Sequence, residues 1–211
     1  MEIHQTPQEC TVTTLLQINA SINDSGQSSR LANQFVEAFR KSHPDAKVVV
    51  RDVAAADTVP HLTAERFGAF ITQSEQRTSA QHAVVAYSDA LIAEITRADV
   101  IVLGLPMYNF GVPSQLKAYF DHIARAGITF AYTEKGPVGR VTGKKVYVFA
   151  ARGGQYVGTP MDTQTSYVRD FLAFLGMTDV HFVYAEGLAI SPQSKEAGLA
   201  KAAEEIARLA A

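Results

Sequence analysis

The sequence predicts an α/β fold: a doubly wound, five-stranded parallel sheet with helices on both faces. Three observations carry that expectation. Five short β-rich runs recur along the chain, and those at 12–18 (VTTLLQI) and 99–104 (DVIVLG) alternate so little that both of their faces must be buried. Segments of helical periodicity separate the runs, the pattern of β-α-β units. The composition is globular, with 211 residues, 47% apolar and 19% charged, 14 Gly and 8 Pro. It is too apolar for a disordered chain and long enough to bury a core without metal or disulfide staples.

Element by element, residues 1–10 read as a polar tail and 11–211 as one domain. The strand at 12–18 leads into NASINDSGQSS, eleven residues of turn chemistry. A helix follows with Leu31, Phe35, Ala38 and Phe39 on one face, and it stops near Ser42 and Pro44. The second strand is 46–51 (AKVVVR). Residues 52–77 hold one short helix around Thr63–Phe70. From Thr78 to Arg97 a long helix aligns Ala80, Ala83, Val84, Tyr87, Leu91 and Ile95. After the strand at 99–104 comes the loop LPMYNFGV. Pro113 and Ser114 then open a helix with Leu116, Tyr119, Phe120 and Ile123 on one face, and Gly127 ends it. Residues 128–142 read as an irregular hairpin turning at Lys135-Gly136-Pro137. The strand at 145–150 (KVYVFA), a helix over Thr163–Leu175 stopped by Gly176, the strand at 179–185 (DVHFVYA) and a helix over Gln193–Leu209 complete the chain.

Several function classes are disfavoured. A net charge of −2 gives no attraction for nucleic acid. The most apolar run, Val100 to Met107, is eight residues long against the ~20 of a membrane helix. The first ten residues lack the apolar segment of a signal peptide. A single cysteine, Cys10, forms no internal disulfide and suits a reducing cytoplasm. The six histidines show no i, i+3 or i, i+4 pairing, so no metal site is expected. No G-x-S-x-G elbow is present, and Cys10 lies in the tail, so a nucleophile is lacking. A ligand cleft without an acid–base cluster suggests a cofactor that carries the chemistry.

In such sheets ligands bind beyond the carboxyl ends of the strands. Three strand-end loops carry unusual chemistry. The first, Asn19 to Ser29, opens a helix whose unpaired N–H groups suit an anion, with Ser21, Gln27 and Ser28 as neutral donors. It has neither G-x-G-x-x-G nor a P-loop lysine, so a phosphate monoester fits better than a pyrophosphate. The alternative is a polar turn with Ser28 or Ser29 as the helix cap. The second loop, Pro106 to Pro113, carries Tyr108 and Phe110 where loops are normally polar. Either the rings stack on a planar ligand whose edge bonds Asn109 and backbone N–H groups, or they cap the core. The third, Ala151-Arg152-Gly153-Gly154, pairs glycines that admit a flat ligand closely, or is an ordinary tight turn. Arg152 either assists an anion or sits at the surface.

Pro106-Met107-Tyr108-Asn109-Phe110, then Leu116 to Asp121, then Gly127-Ile128-Thr129-Phe130 with Tyr132-Thr133-Glu134 and Gly136-Pro137, resemble the FMN-dependent NADH:azoreductases. These are flavodoxin-like, dimeric quinone and azo-compound reductases of bacteria, and the resemblance runs from about residue 13 to about 190. It implies non-covalent FMN, one per chain, held by Ser21, by Gly26-Gln27-Ser28, by Met107, Tyr108, Asn109 and Phe110, and by Ala151, Arg152, Gly153 and Gly154. It implies two-electron transfer from NADH to quinones or azo compounds by a ping-pong route. It also implies a homodimer built through the 114–126 helix and the 128–142 hairpin. Phe174, and after it Phe171, are the candidate walls of an apolar acceptor pocket. Two differences stand out: Gly26 and Ala151 occupy positions where the family usually carries serine. The rival reading is a flavodoxin-type electron carrier without NADH-dependent turnover, although such carriers are typically strongly acidic.

Overall fold

A computed structural model describes residues 12–55 and 59–210, so the expected polar tail and Cys10 lie outside the described residues. The strands are β1 (Thr14–Asn19), β2 (Lys47–Asp52), β3 (Val100–Pro106), β4 (Phe130–Thr133), β5 (Gly136–Gly139), β6 (Lys145–Ala151) and β7 (Asp179–Ala185). The α-helices are α1 (Gln27–Ser42), α2 (Ala64–Ile71), α3 (Ser79–Arg97), α4 (Ser114–Ile123), α5 (Thr163–Leu175) and α6 (Pro192–Ala210). Five strands form one sheet in the order β2-β1-β3-β6-β7, every pair parallel. This is the flavodoxin-like order, and it reverses between β1 and β3. The chain leaves β1 towards one edge and returns on the other side, so the connections diverge there and open a cleft above the strand ends.

The near absence of alternation in β3 has the predicted cause. All seven residues are buried, and successive ones serve opposite layers. Ile101, Leu103 and Leu105 pack with α3, α4 and α5, while Val100 and Val102 pack with α1 and α6. Leu31, Phe35 and Phe39 are buried as the helical spacing requires, as are all four aligned residues of α4. β2 is an edge strand, and its Val50 is exposed.

Three local expectations are corrected. On α3, Ala80 and Ala83 face solvent, and the buried face is Val85, Ser88, Leu91, Ile92 and Ile95. Ser88 interrupts the apolar stripe because its Oγ donates to the His122 carbonyl at 2.6 Å and accepts from Arg125 at 2.9 Å. Second, α4 stops at Ile123, four residues before Gly127. Thr129 reaches back, donating from Oγ1 to the Ile123 carbonyl at 2.6 Å and accepting from the Arg125 N–H at 2.9 Å. Gly127 serves the following turn, with φ +80°. Third, the hairpin turns at Glu134-Lys135. Gly136, at φ +106°, opens β5, and Pro137 pairs with Tyr132 in the two-stranded ribbon.

The hairpin is pinned where Gly139 meets the end of α5. A Cβ built on Gly139 lies 2.0 Å from the Gly176 nitrogen and 2.1 Å from the Leu175 carbonyl carbon, both of them backbone. Gly176 itself takes the left-handed cap, φ +104°, that stops α5 where the sequence predicts. Gly139→Ala is therefore expected to push the hairpin off α5. The cost is of the overpacking kind, about 1–3 kcal/mol, which for a chain of this size lowers Tm by roughly 3–10 °C. Differential scanning calorimetry checks this, and an unchanged Tm would show that the hairpin is not held there.

Candidate functional site

The first wall of the cleft is the β1–α1 loop. Asn23 organises it: its side chain accepts from the Ser25 N–H at 3.0 Å, and its carbonyl accepts from Ser21 Oγ at 3.0 Å and from the Gly26 N–H at 2.8 Å. Gly26 is the helix cap, so neither Ser28 nor Ser29 fills that role. A Cβ at Gly26 falls 2.1 Å from Ser21 Oγ and 2.9 Å from the Asn23 carbonyl oxygen. This loop conformation has no room for serine there, which accounts for one difference from the resembling family. Below the loop, α1 lies against β3 at Gly104, where a Cβ would meet the Ser28 backbone at 3.3 Å. The first turn of α1 contains no acid, so its N–H groups and positive dipole end are uncompensated. Ser28 is fully buried, and its Oγ has no hydrogen-bond partner. A buried hydroxyl without a partner costs about 1–3 kcal/mol. An anionic oxygen over this turn would accept from it and from the helix N–H groups together.

The second wall is the loop after β3. Tyr108 and Gly111 exchange backbone bonds, at 3.2 Å from the Tyr108 N–H and 3.0 Å from the Gly111 N–H. Asn109 and Phe110 between them are both left-handed, with φ 48° and 63°. Two consecutive positive φ values make a tight turn of the mirror-image kind, a conformation uncommon outside glycine and asparagine. Neither ring of this loop is core. Phe110 is 46% exposed and meets Tyr156 edge-on, with ring centroids 5.6 Å apart. The Tyr108 hydroxyl accepts from the Ile22 N–H at 3.2 Å and lies 3.4 Å from Ser21 Oγ, which ties the first two loops together.

The third loop is built around Arg152, whose side chain is completely buried. The guanidinium reaches Asp162 at 3.0 Å, Glu186 at 3.3 Å and Thr165 Oγ1 at 3.0 Å, and it lies over the Tyr184 ring. It is thus not at the surface, which corrects that expectation; its two terminal nitrogens are taken, while Nε is buried without a partner. Its backbone is also committed, donating to the Ala185 carbonyl and accepting from the Leu188 N–H. The Gly153 and Gly154 carbonyls accept from Ala189 and Gly187. Glu186 accepts in addition from the N–H groups of Tyr156 at 2.9 Å and Val157 at 3.1 Å. Tyr156 consequently lies on Gly154, where a Cβ would come within 2.6 Å of the phenol.

These loops enclose a cleft of about 360 Å³. Of the residues expected there, Ser21, Gly26, Gln27, Ser28, Met107, Tyr108, Ala151, Arg152 and Gly153 line it. Asn109, Phe110 and Gly154 lie just beyond its edge, on the same loops. Phe171 and Phe174 do not wall it: Phe171 stacks on Phe120 at 4.2 Å and Phe174 packs on Phe130 at 4.3 Å, both against the core. Leu188 lines the cleft without having been foreseen, as do Ile22 and Asn23. Leu188 follows β7, a strand end whose loop offers no distinctive residue type. None of the lining residues is a carboxylate, histidine, lysine or cysteine. The cleft brings together the uncompensated end of α1, a buried unpartnered hydroxyl and two loops of aromatics and paired glycines, with Tyr108 as its one side chain of acid–base character.

Burial alone would push the Asp162 carboxyl up, but the bonds from Arg152 and Thr165 outweigh it and hold the group below its ordinary 3.8. A carboxyl depressed in the folded state stabilises fully above its unfolded value and loses that contribution as pH falls through the folded one. Asp162→Asn keeps a good helix cap and removes the charge. A charged hydrogen bond is worth about 1.5–3 kcal/mol, and that loss is expected at neutral pH. In urea unfolding, the gap between wild type and Asp162→Asn should be constant at neutral pH and close only below 3.8. A gap independent of pH down to the acid limit would show that the charge is not what stabilises.

Comparison with known proteins agrees with this geometry. A family model described as the flavodoxin-like fold matches residues 13–210. The FMN-dependent NADH:quinone oxidoreductase of Cellvibrio japonicus is 59% identical over 194 residues, covering 92% of this chain and 96% of that one. FMN-dependent NADH:quinone oxidoreductase 6 of Burkholderia lata is 58% identical over 197 residues, covering 93% and 99%. Among solved structures, an FMN-dependent NADH-azoreductase from Bacillus anthracis in complex with FMN superimposes with a TM-score of 0.83 at 26% identity, covering 94% of this chain and all of that one. The chain belongs to the flavodoxin-like family that includes the FMN-dependent NADH:quinone oxidoreductases.

Proposed function

We propose that this protein is an FMN-dependent NADH:quinone oxidoreductase that also cleaves aromatic azo compounds reductively. The observation that carries the reading is the buried, unpartnered Ser28 hydroxyl in the acid-free first turn of α1, at the floor of a cleft walled by the other two loops. Relatives of more than half identity carry the NADH:quinone oxidoreductase activity in their names, and solved structures at 26–29% identity are named azoreductases. FMN, when bound, would supply the redox chemistry, hydride acceptance from NADH and two-electron delivery to the acceptor. The chain's own residues position it. Gly26 leaves room for the Ser21–Ser25 loop, and Ser21, Gln27 and Ser28 with the α1 N–H groups receive the phosphate. Met107, Tyr108, Asn109 and Phe110 would hold one side of the ring, with Ala151, Gly153 and Gly154 at its edge, while Arg152 holds the third loop in shape. Protons come from water, because the lining offers no carboxylate, histidine, lysine or cysteine.

A ring held on one side by these loops would leave one open face for donor and acceptor in turn. Steady-state rates with NADH and a benzoquinone are therefore expected to give parallel double-reciprocal lines, with turnover near the ~10 s⁻¹ typical of enzymes. The cofactor released by heat should be FMN, since the loop seats one phosphate. Release of FAD would contradict the seat, converging lines would contradict the shared face, and flavin reduction by NADH slower than about once per minute would replace the enzyme with an electron carrier.

The reading includes a homodimer in the cytoplasm. No helix among the described residues is long and apolar enough to cross a membrane, and the lone cysteine suits a reducing compartment. The hairpin presents Ile128, Tyr132 and Val138 to solvent, with Tyr132 75% exposed, an apolar surface that a second copy would cover. Phe130, two residues before Tyr132, turns inward onto Phe174. Sedimentation velocity at micromolar concentration should show twice the chain mass of 22.8 kDa; a monomer with full activity would contradict the dimer.

A further inference from the structure

The start of α5 lies between the two ring-binding loops and grips both. Asp162 and Thr165 hold Arg152 of the third loop. The two residues between them hold the second. Thr163 Oγ1 donates to the Phe110 carbonyl. Gln164, fully buried, donates from Nε2 to the Pro106 carbonyl at 2.8 Å and to the Gly111 carbonyl at 3.2 Å, the carbonyls that flank 107–110 on either side. Its Oε1 is buried with no partner. An apolar side chain would fill this space without orphaning an acceptor, so packing does not account for an amide here. The two donated bonds do. Between the gripped carbonyls sit the left-handed Asn109 and Phe110. Strained residues persist only where their surroundings over-determine them, and Phe110 is too exposed for packing to do so.

We propose that Gln164 is a positioning residue for the cofactor. By fixing both ends of 107–110 it holds the Asn109 and Phe110 N–H groups, the two in the turn that make no backbone bond among the described residues, towards the polar edge of the isoalloxazine, and through that turn it sets the affinity and reduction potential of FMN. The inference rests on the FMN reading above. Charge accumulates on the ring as it is reduced, and preorganised donors stabilise it. A relaxed turn therefore costs the reduced cofactor more than the oxidised one and lowers the potential.

The test compares full-length wild type with Gln164→Met and Gln164→Leu, which keep apolar volume and remove the donors. FMN affinity is expected to fall about tenfold, and preference for the reduced cofactor also about tenfold, which is about 30 mV more negative for a two-electron couple. In flavin-free protein, amide exchange over 107–111 should speed up several-fold. Tm should stay within about 4 °C, because loss of the orphaned Oε1 offsets the lost bonds. Variants with wild-type affinity and potential overturn the proposal, as does a drop in Tm with both of those intact, since either leaves Gln164 a packing residue. Failure of wild type to take up FMN overturns the FMN reading itself. In that case unchanged exchange over 107–111 in the variants still refutes the grip of Gln164 on the turn.

Discussion

The site depends on a buried positive charge. Removing a guanidinium from water costs several kcal/mol unless paired groups surround it, and Arg152 has no exposed side-chain surface. The chain meets that demand from three directions: Asp162 at the start of α5, Thr165 one turn later, and Glu186 after β7. The planar fork of arginine can reach all three, where an ammonium offers a single point of charge. Once these contacts are made, the ends of β6, β7 and α5 are fixed relative to one another. The spare capacity of Glu186 then orders the Tyr156 and Val157 backbone, which places Tyr156 over Gly154. The loop that lines one side of the cleft is thus shaped from behind by charge. The opposite wall is shaped by close approach, with α1 against Gly104.

This division explains how a cleft whose lining carries no unpaired charge can hold a charged cofactor. The only lining cation, Arg152, is neutralised by its own carboxylates. What remains for a phosphate is the uncompensated end of α1 and the Ser28 hydroxyl. A helix dipole contributes about 0.3–1 kcal/mol, up to ~2 when partly buried, and each hydrogen bond to a charged group about 1.5–3 kcal/mol. A lysine adds little beyond that at an exposed site, where ion pairs are worth about 0–1 kcal/mol.

What the sequence made legible follows the range of the forces involved. Strands buried on both faces declare themselves by lacking alternation, and α5 ends at Gly176 and β7 spans the apolar run as the sequence places them. The three strand-end loops were identifiable because turn residues, exposed aromatics and paired glycines are local signals, and the structure brings them to one cleft. Illegible features depend on distant partners. Gly127 looks like a helix stop, but Thr129 terminates α4 earlier from beyond the helix. Ser88 breaks an apolar stripe for the sake of Arg125 and His122. The carboxylates of Arg152 lie 10 and 34 residues away, so nothing around the loop announces that it is buried. Phe171 and Phe174 have the character of pocket walls and the helical spacing of core, and the core claims them.

The central claim is that Ser28 and the first turn of α1 form the phosphate seat, and titration of flavin-free protein with FMN tests it most directly. Ser28→Ala removes a hydroxyl that is buried without a partner in the protein alone, so stability should not fall. FMN affinity should weaken by about 10- to 150-fold, the worth of one hydrogen bond to a charged group. An unchanged dissociation constant would contradict the account.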